Sequence, residues 1–437
     1  MTPIKHNNLD RIVYLTSGAA TMYCGSCLHD NTLSRALNAA GVETLLVPTY
    51  TPIRTDEEDV SIDQVFFGGI NVYLQQKIPL FRHIPKFVDR ILDAPWLIRR
   101  ATSRGIAIRP QALGALTVSM LKGTDGNQRK EVKRLTNWLV NDIKPSVVIL
   151  SNLLIGGCIT SIRQHDIPVL VTLQGDDIFL QDLIEPYKSQ TLKLMRDLAK
   201  QVDGFIVHSK FYQDVVSDLF EIPISKIQVV PLGLDLTALP DPQPRDTSKP
   251  RTIGYLARMS KEKGLHVLVD AFIQLKKLPN TEDIQLLLAG WRGATNQEYA
   301  AAELAKLDAA GLENDYEDLG TVDRAQKQRL LNNIDLLCVP TVYQEPKGLF
   351  ALEAMAAGVP VVLPEHGVFP EMLTDLEGGI LFEPGNTTAL AQLLHGLLEN
   401  PTSLAEYGGL GRKNISDRRD ANSMASNTIA AIDKLLD

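Results

Sequence analysis

The chain has 437 residues, 44% of them hydrophobic and 22% charged, with a formal net charge of −8 at pH 7. This length and composition suggest two or three globular domains. The negative charge argues against a nucleic-acid binder, whose binding face would be basic. No apolar run approaches the roughly 20 residues that span a bilayer. The polar N-terminus lacks the apolar core of a signal peptide, so we expect a cytoplasmic protein.

Short apolar runs alternate with amphipathic segments in the first half, a pattern typical of βαβ units on a parallel sheet. A strand is predicted at RIVYLT (11–16), followed by a loop with two cysteines, a helix through Leu33 and Leu37, and the strand ETLLVP. Further buried strands are predicted at SVVILS, IPVLVTL and GFIVHS, and IQVVPLGLD (227–235) ends this half. We therefore predict a Rossmann-like, acceptor-side domain over residues 1–239.

A proline-rich segment, residues 240–251, separates the two halves. It has four prolines and no apolar run, which is typical of an interdomain linker. Beyond it the alternation restarts with TIGYLA, a helix over residues 265–275, IQLLLAG, DLLCVP and VPVVLP. We predict a second Rossmann-like domain over 252–415 and a C-terminal helix over 416–437 that packs back on the first domain. The predicted fold class is α/β, with two such domains facing across a cleft where ligands bind.

Two cations follow the first strand of the second half. Arg258 leaves the carboxyl end of this strand, and Lys263 stands five residues later at the start of a helix. Backbone N–H groups at a helix start favour anions. The pair therefore predicts a phosphate site, and the alternative is an ordinary solvated surface pair.

A glutamate lies on an almost wholly apolar helix, predicted to begin at Gly348 and to end at Gly358. Glu353 is the only charge of this helix, and a carboxylate there is costly unless it is hydrogen-bonded. The hydroxyls of a nucleotide ribose would supply suitable donors, and the alternative is an internal cap or pair. The amides of Gly348, Leu349 and Phe350 would face the same ligand and could hold a phosphate.

Five motifs in this order resemble family 4 glycosyltransferases of the GT-B fold. They are VVPLGLD at the end of the first half, Arg258-x4-Lys263, LGTVDRAQKQRLLNNIDLLCVPT, Glu345-x7-Glu353 and GVPVVLPEHGVFPEML. The resemblance implies a hexosyltransferase that moves a sugar from a nucleotide-diphosphate sugar, its co-substrate, with retention and with neither metal nor cofactor. The acceptor would be a glycan, a lipid-linked sugar or a small molecule.

The resemblance also implies a role for each of these four charged residues. Arg258 and Lys263 would hold the diphosphate, Glu353 the ribose, and Glu345 would contact the donor sugar near its anomeric carbon. The physics agrees, because negative charge grows on the departing diphosphate and fixed cations stabilise it.

The stretch QGDD, Gln174–Asp177, has two interpretations. Its two carboxylates resemble a metal-binding pair, but after a strand they more often begin a helix, so we predict a helix start and no metal. Many relatives carry at Gln174 a histidine that is thought to contact the donor sugar, which implies a donor contact for Gln174. Glutamine can donate a hydrogen bond but carries no charge. This departure leaves the donor sugar open.

The pair Cys24 and Cys27 forms a C-x-x-C motif beside the predicted first helix. In the family this loop is glycine-rich and lies against the donor, which implies that Gly25 allows a close backbone approach. Three interpretations stay open: packing of small residues, contact with the acceptor, and a redox dithiol or zinc site. Zinc would need two further ligands, and neither Cys158 nor Cys338 is obviously near.

Residues 77–109 hold eight Lys or Arg against two Asp, interleaved with aromatic residues such as Phe81, Phe87 and Trp96. Such a stretch can contact the inner face of an anionic membrane peripherally. The preferred alternative is a helical pair whose apolar side packs on the sheet.

Other functions compete with sugar transfer. The nearest are a nucleotide-sugar epimerase or a phosphorylase of the same fold. A thiol oxidoreductase built on Cys24 and Cys27 would leave the second domain without a purpose. An NAD-dependent dehydrogenase is disfavoured because no G-x-G-x-x-G follows the first strand of either half.

Overall fold

Two compact units make up the chain, residues 1–233 with 421–437 and residues 234–420. Each contains a six-stranded sheet in which all neighbouring strands are parallel. This confirms the predicted α/β fold with two Rossmann-like domains. The computed structural model describes residues 9–18, 25–53, 55, 57–62, 65–68, 72, 74–76, 78, 110–238, 249–293 and 296–437.

The sheet of the first unit has the order β2-β1-β3-β4-β5-β6. Its strands are β1 Arg11–Thr16, β2 Glu43–Pro48, β3 Val147–Leu150, β4 Val169–Thr172, β5 Gly204–Val207 and β6 Ile227–Val229. The first five were predicted as strands, because strands that are covered on both faces have continuous apolar sequences. The segment that contains β6 was predicted only to end this half. Val13 in β1 is paired with Leu45 on one side and Val148 on the other.

Between these strands, seven α-helices have described bounds. They are α1 Gly25–Ala39, α2 Pro110–Leu121, α3 Arg129–Trp138, α4 Ile159–Arg163, α5 Asp176–Gln181, α6 Tyr187–Ala199 and α7 Lys210–Phe220. Helix α1 begins earlier than predicted, so Cys27 lies in its first turn and not in a loop. Cys27 and Leu37 are buried in the same core. The apolar side of α1 therefore continues into the first turn of the helix.

The sheet of the second unit has the order β12-β11-β10-β7-β8-β9. Its strands are β7 Arg251–Leu256, β8 Ile284–Ala289, β9 Tyr316–Gly320, β10 Leu336–Cys338, β11 Val361–Pro364 and β12 Gly379–Phe382. Strands β9 and β12 were not predicted. Both are edge strands and only partly buried, so neither needs the continuous apolar run by which the central strands were recognised.

The helices of the second unit are α8 Leu265–Leu275, α9 Gln297–Ala309, α10 Arg324–Asn332, α11 Leu349–Ala356, α12 Phe369–Leu376, α13 Thr387–Leu398 and α14 Pro401–Arg418. The strand order reverses between β7 and β10, which are neighbours. With right-handed crossovers, the helices that follow these two strands leave toward opposite faces of the sheet. A crevice therefore opens at the carboxyl ends of β7 and β10.

The C-terminal helix predicted over residues 416–437 is present but begins later than predicted. Helix α14 ends at Arg418, and α15 Ala421–Leu436 belongs to the first unit. Met424 and Ile432 of α15 lie in the same buried core as Leu37 of α1.

Two predictions concern residues that are largely undescribed. In the predicted linker, residues 240–248 lie outside the described residues, and Arg251 is already the first residue of β7. Of residues 77–109 only Ile78 is described, so the membrane contact stays a prediction. Within the described parts of the chain, no helix combines the length and the apolar character that a membrane span requires.

Candidate functional site

The loops after β7, β10 and β11 are joined by backbone hydrogen bonds in the second unit. The Val342 N–H donates to the carbonyl of Glu262 at 3.0 Å, and the Val368 N–H donates to the carbonyl of Glu345 at 2.9 Å. These loops lie at the carboxyl ends of their strands, and we call them the carboxyl edge of the second unit. Side chains on them are therefore fixed relative to one another.

Two glycines permit this close approach of the loops. Gly264 has a φ of +74°, and a Cβ there would lie 1.7 Å from the carbonyl oxygen of Pro340. Gly367 has a φ of +63°, and a Cβ there would lie 2.6 Å from the backbone nitrogen of Glu345. Only glycine combines this backbone conformation with the space available.

Lys263 and Glu345, which come from different loops, form a buried ion pair at the carboxyl ends of β7 and β10. The Lys263 Nζ donates to Glu345 Oε2 at 2.5 Å, and the two side chains are 15% and 5% exposed. The Lys263 Nζ also donates to the hydroxyl of Tyr343 at 2.8 Å, and that hydroxyl donates to Glu345 Oε2. The Gly348 N–H donates to Glu345 Oε1 at 3.2 Å. The carboxylate is thus surrounded by donors.

These contacts determine the protonation states of Glu345 and Tyr343. Burial alone would raise the pKa of Glu345, but the Lys263 ammonium, the Tyr343 hydroxyl and the Gly348 amide lower it to about 2. Burial, and then the charge of Glu345, raise the pKa of Tyr343 well above its ordinary value. Near neutral pH, Glu345 is therefore an anion and Tyr343 a neutral hydroxyl. Tyr343 was not predicted from the sequence, because a single tyrosine in a loop carries no pattern.

Arg258 follows β7 at the same edge, as predicted, and it pairs with Glu262. The intervening turn is held by Tyr255, a buried residue of β7. The hydroxyl of Tyr255 donates to the carbonyls of Arg258 at 3.1 Å and Lys263 at 3.4 Å. The strand thus anchors the turn that carries both predicted cations.

Glu353 pairs with Lys327 of α10, whose Nζ donates to Glu353 Oε1 at 2.6 Å. The internal pair, which was the alternative in the sequence analysis, is therefore present, and a ribose contact stays a prediction. Helix α11 begins at Leu349 after Gly348, which has a φ of +66°. The Gly348 amide faces Glu345, whereas those of Leu349 and Phe350 belong to the first helical turn, which has no acceptors within its own helix.

Cations and carboxylates are matched at this edge. Arg258 and Lys263 each pair with a carboxylate there. Two cations outside these loops do the same, Lys327 of α10 with Glu353 and Arg292, after β8, with Asp318. Cations presented at the carboxyl ends of parallel strands suit an anionic ligand. Such a ligand would compete with the carboxylates for them.

Gln174 in the first unit belongs to a separate buried network. Its Nε2 donates to Asp30 Oδ1 at 2.9 Å and to the carbonyl of Ser151 at 3.2 Å. Asp30 also accepts the Thr16 hydroxyl at 2.7 Å and lies 3.1 Å from His29 Nδ1. The network collects polar groups from the ends of β1, β3 and β4. The predicted contact of Gln174 with a donor sugar stays a prediction.

Gly25, Cys27 and the two QGDD carboxylates all lie in the first turn of a helix. Gly25 is the exposed first residue of α1, Cys27 is buried in the core as the packing interpretation predicts, and Cys24 lies outside the described residues. Burial raises the pKa of Cys158 to about 12 and that of Cys338 still further. Asp176 and Asp177 begin α5. Across the described ranges, no group of three His, Cys, Asp or Glu side chains is placed to hold a metal.

Two family models match the chain in tandem. The model for glycosyltransferase family 4 matches residues 121–238, and that for group 1 glycosyl transferases matches residues 241–414. Glycogen synthase of Mycobacterium tuberculosis is 25% identical over 311 residues, 70% of this chain and 69% of that protein. Phosphatidyl-myo-inositol mannosyltransferase of Mycobacterium leprae is 33% identical over 45% of this chain and 50% of that protein.

Solved structures share the fold over nearly the whole chain. Sucrose-phosphate synthase of Thermosynechococcus elongatus superposes with a TM-score of 0.69 at 17% identity, covering 98% of this chain and 99% of that one. HepE of Anabaena, solved in complex with UDP-glucose, gives a TM-score of 0.66 at 18% identity, with 97% and 98% coverage.

Proposed function

Because this chain belongs to glycosyltransferase family 4, we propose that it transfers a hexosyl group from a nucleotide-diphosphate sugar to an acceptor, retaining the anomeric configuration and using no metal ion. The proposal rests on two cations, Arg258 and Lys263, at the carboxyl edge of the second unit. They lie where the strand order reverses between β7 and β10.

Arg258 and Lys263 would bind the diphosphate and neutralise the charge that grows on it as the glycosidic bond breaks. Lys263 is held by Glu345, so it must share or leave that contact to reach a phosphate. The Tyr343 hydroxyl and the Gly348 amide remain as donors to Glu345 when this happens. Glu345 therefore stays ionised, and its negative charge would stabilise positive charge developing at the anomeric carbon.

Relatives support the class of donor and acceptor. HepE is solved with UDP-glucose, and the mycobacterial relatives are named for glycogen synthesis and for mannosyl transfer to phosphatidyl-myo-inositol. We propose a nucleotide-diphosphate sugar as donor and a carbohydrate or lipid-linked acceptor for this chain.

The test is release of nucleoside diphosphate from a panel of nucleotide-sugars, with and without acceptors and with EDTA throughout. We expect release that depends on the acceptor and a loss of about 100-fold or more in kcat/KM for Arg258→Ala and for Lys263→Ala. Lys193→Ala, on α6, is the control because its ion pair with Asp197 is largely exposed. Epimerisation without an acceptor, or turnover that requires inorganic phosphate, would contradict transfer.

A further inference from the structure

We propose that a cavity at the amino ends of β7, β10 and β11 binds a small amphipathic anion, a molecule with an apolar body and one negatively charged group. The cavity has a volume of about 600 Å³ and lies within the second unit, and we call it the amino-edge cavity. It is lined by the residues that precede these three strands, by the ends of α10 and α13 and by α14. Its volume is in the range of pockets that hold small molecules.

The amino-edge cavity is separate from the proposed donor site. Arg258 and Lys263 follow β7 at its carboxyl end, whereas Lys249 precedes this strand and Arg251 is its first residue. Strand β7 has 6 residues, and a rise of about 3.3 Å per residue separates its two ends by about 20 Å. The inference therefore goes beyond the proposed function and does not depend on it.

The inner wall of the cavity is apolar. It is formed by five side chains, each less than a tenth exposed, namely Leu331, Ile334, Val359, Leu398 and Leu404. An apolar group that enters the cavity leaves water for contact with these side chains, which favours binding. This wall therefore suits the apolar body of the ligand.

Two small residues of α14 leave the cavity open. Ala405 and Gly409 lie about one turn apart on the same face of the helix, and both line the cavity. The helix approaches the loop before β11 at Gly408, where a Cβ would lie 2.2 Å from the carbonyl oxygen of Gly358. At Gly409, by contrast, a Cβ would meet open space, with no neighbouring atom within 4 Å. The helix is thus fixed beside the cavity without filling it.

The charged side chains of the lining favour an anion. Three are cations, Lys249, Arg251 and Arg412, and one is an acid, Asp335. Asp335 is buried, and its Oδ2 accepts the Thr252 N–H at 2.6 Å, so a backbone donor compensates this carboxylate. The balance of the lining side chains is therefore positive, on a chain whose net charge is −8.

Lys249 is a cation whose charge a ligand can use. Arg251 is already paired with two carboxylates, those of Asp283 and Glu399. Lys249 has no carboxylate partner within the described ranges, and its Nζ donates to the neutral Asn333 Oδ1 at 3.2 Å. Because Lys249 is exposed whereas the inner wall is buried, we place the anionic group of the ligand at the rim and its apolar body inside.

The experiment measures the binding of octanoate to the full chain by equilibrium dialysis. Octanoate has an apolar chain and one carboxylate. Octanol, which has the same chain length without the charge, and acetate, which has the charge without the long chain, are measured in the same way. The melting temperature of each protein is recorded alongside.

Two variants change the cavity, and each has a matched control. Gly409→Leu places a side chain in the open space. Its control is Gly396→Leu on α13, where an added Cβ also has no atom within 4 Å, but which lies outside the lining. Lys249→Met removes the charge at the rim, and its control, Lys193→Met, removes an exposed cation of the first unit.

We expect saturable binding of octanoate at one site per chain, about fivefold tighter than that of octanol, and no measurable binding of acetate. Gly409→Leu should weaken octanoate binding about tenfold or more without lowering the melting temperature, because leucine favours a helix more than glycine does. Lys249→Met should bind octanoate about as weakly as the wild type binds octanol. Both controls should stay within about twofold of the wild type.

The absence of saturable octanoate binding would overturn the inference. Equal octanoate affinity in the wild type and in Gly409→Leu, or an equal loss in Gly396→Leu, would also overturn it, because the ligand would then lie elsewhere. Equal affinity for octanoate and octanol, or unchanged octanoate affinity in Lys249→Met, would overturn the anionic class of ligand. If Gly409→Leu does not fold, Ala405→Leu fills the cavity from the preceding turn and Lys249→Met still reports on the rim.

Discussion

Replacing Lys263 by methionine should destabilise the second unit by up to about 3 kcal/mol at neutral pH. The basis is Glu345, whose pKa lies at about 2 instead of its ordinary 4.5. That depression corresponds to about 3 kcal/mol. Glu345 is 5% exposed, so water screens the pair little. The figure is an upper value, because the Tyr343 hydroxyl and the Gly348 amide remain after the substitution.

The pH dependence follows from the sign of the pKa shift. The pKa of Glu345 is lower in the folded chain, so its stabilisation is fully present above about pH 4.5 and disappears as the pH falls toward 2. Without Lys263 the depression of the Glu345 pKa is smaller, because the ammonium charge and hydrogen bond of Lys263 are lost while those of Tyr343 and Gly348 remain. The difference between wild type and Lys263→Met should therefore be full at pH 7 and smaller at pH 3.5.

Urea titrations at both pH values, followed by hydrogen exchange of peptides from α11, measure this difference. Lys263→Met with Glu345→Gln should recover part of the lost stability, because no unpaired charge is then buried. Lys193→Met, whose ion pair with Asp197 is largely exposed, is the control and should change stability by less than about 0.5 kcal/mol. An equal loss at pH 7 and pH 3.5, or no recovery in the double variant, would refute the reasoning.

Three further predictions concern other parts of the chain. Gly264→Ala should lower the free energy of unfolding in urea by about 2 kcal/mol or more. Gly311→Ala should lower it less, because Gly311 has a φ of +75° but no atom lies within 4 Å of the added Cβ. Equal losses in the two variants would contradict the steric argument. Cys27→Ala should keep transferase activity within about twofold, because Cys27 fills a core position, and an inactive variant would restore the thiol interpretations. The chain should stay in the supernatant with anionic vesicles if residues 77–109 pack on the sheet, and pelleting would instead establish the membrane contact.

The central strands were predictable because they are covered on both faces, which leaves an unbroken apolar run such as the one in β3. The edge strands β9 and β12 lack that constraint and were missed. Arg258 and Lys263 were placed correctly at the carboxyl edge, since a strand end determines the position of the residues directly after it.

Contacts between distant segments were not predictable from local patterns. Lys327 meets Glu353 across two helices, and Asp30 meets Gln174 across 144 residues of sequence. Sequence spacing reports the face of one helix or strand and says nothing about the side chain that a neighbouring element brings to it. For this reason the pairing of the carboxylates became visible only in the structure.

The most direct test of the account is calorimetric titration of UDP, GDP and ADP into the wild type and into a variant carrying both Arg258→Ala and Lys263→Ala. We predict that at least one of these nucleotides binds the wild type and that the double variant binds it about 100-fold more weakly, a change of about 2.7 kcal/mol. The same dissociation constant in both proteins would contradict the claim that these cations hold the diphosphate.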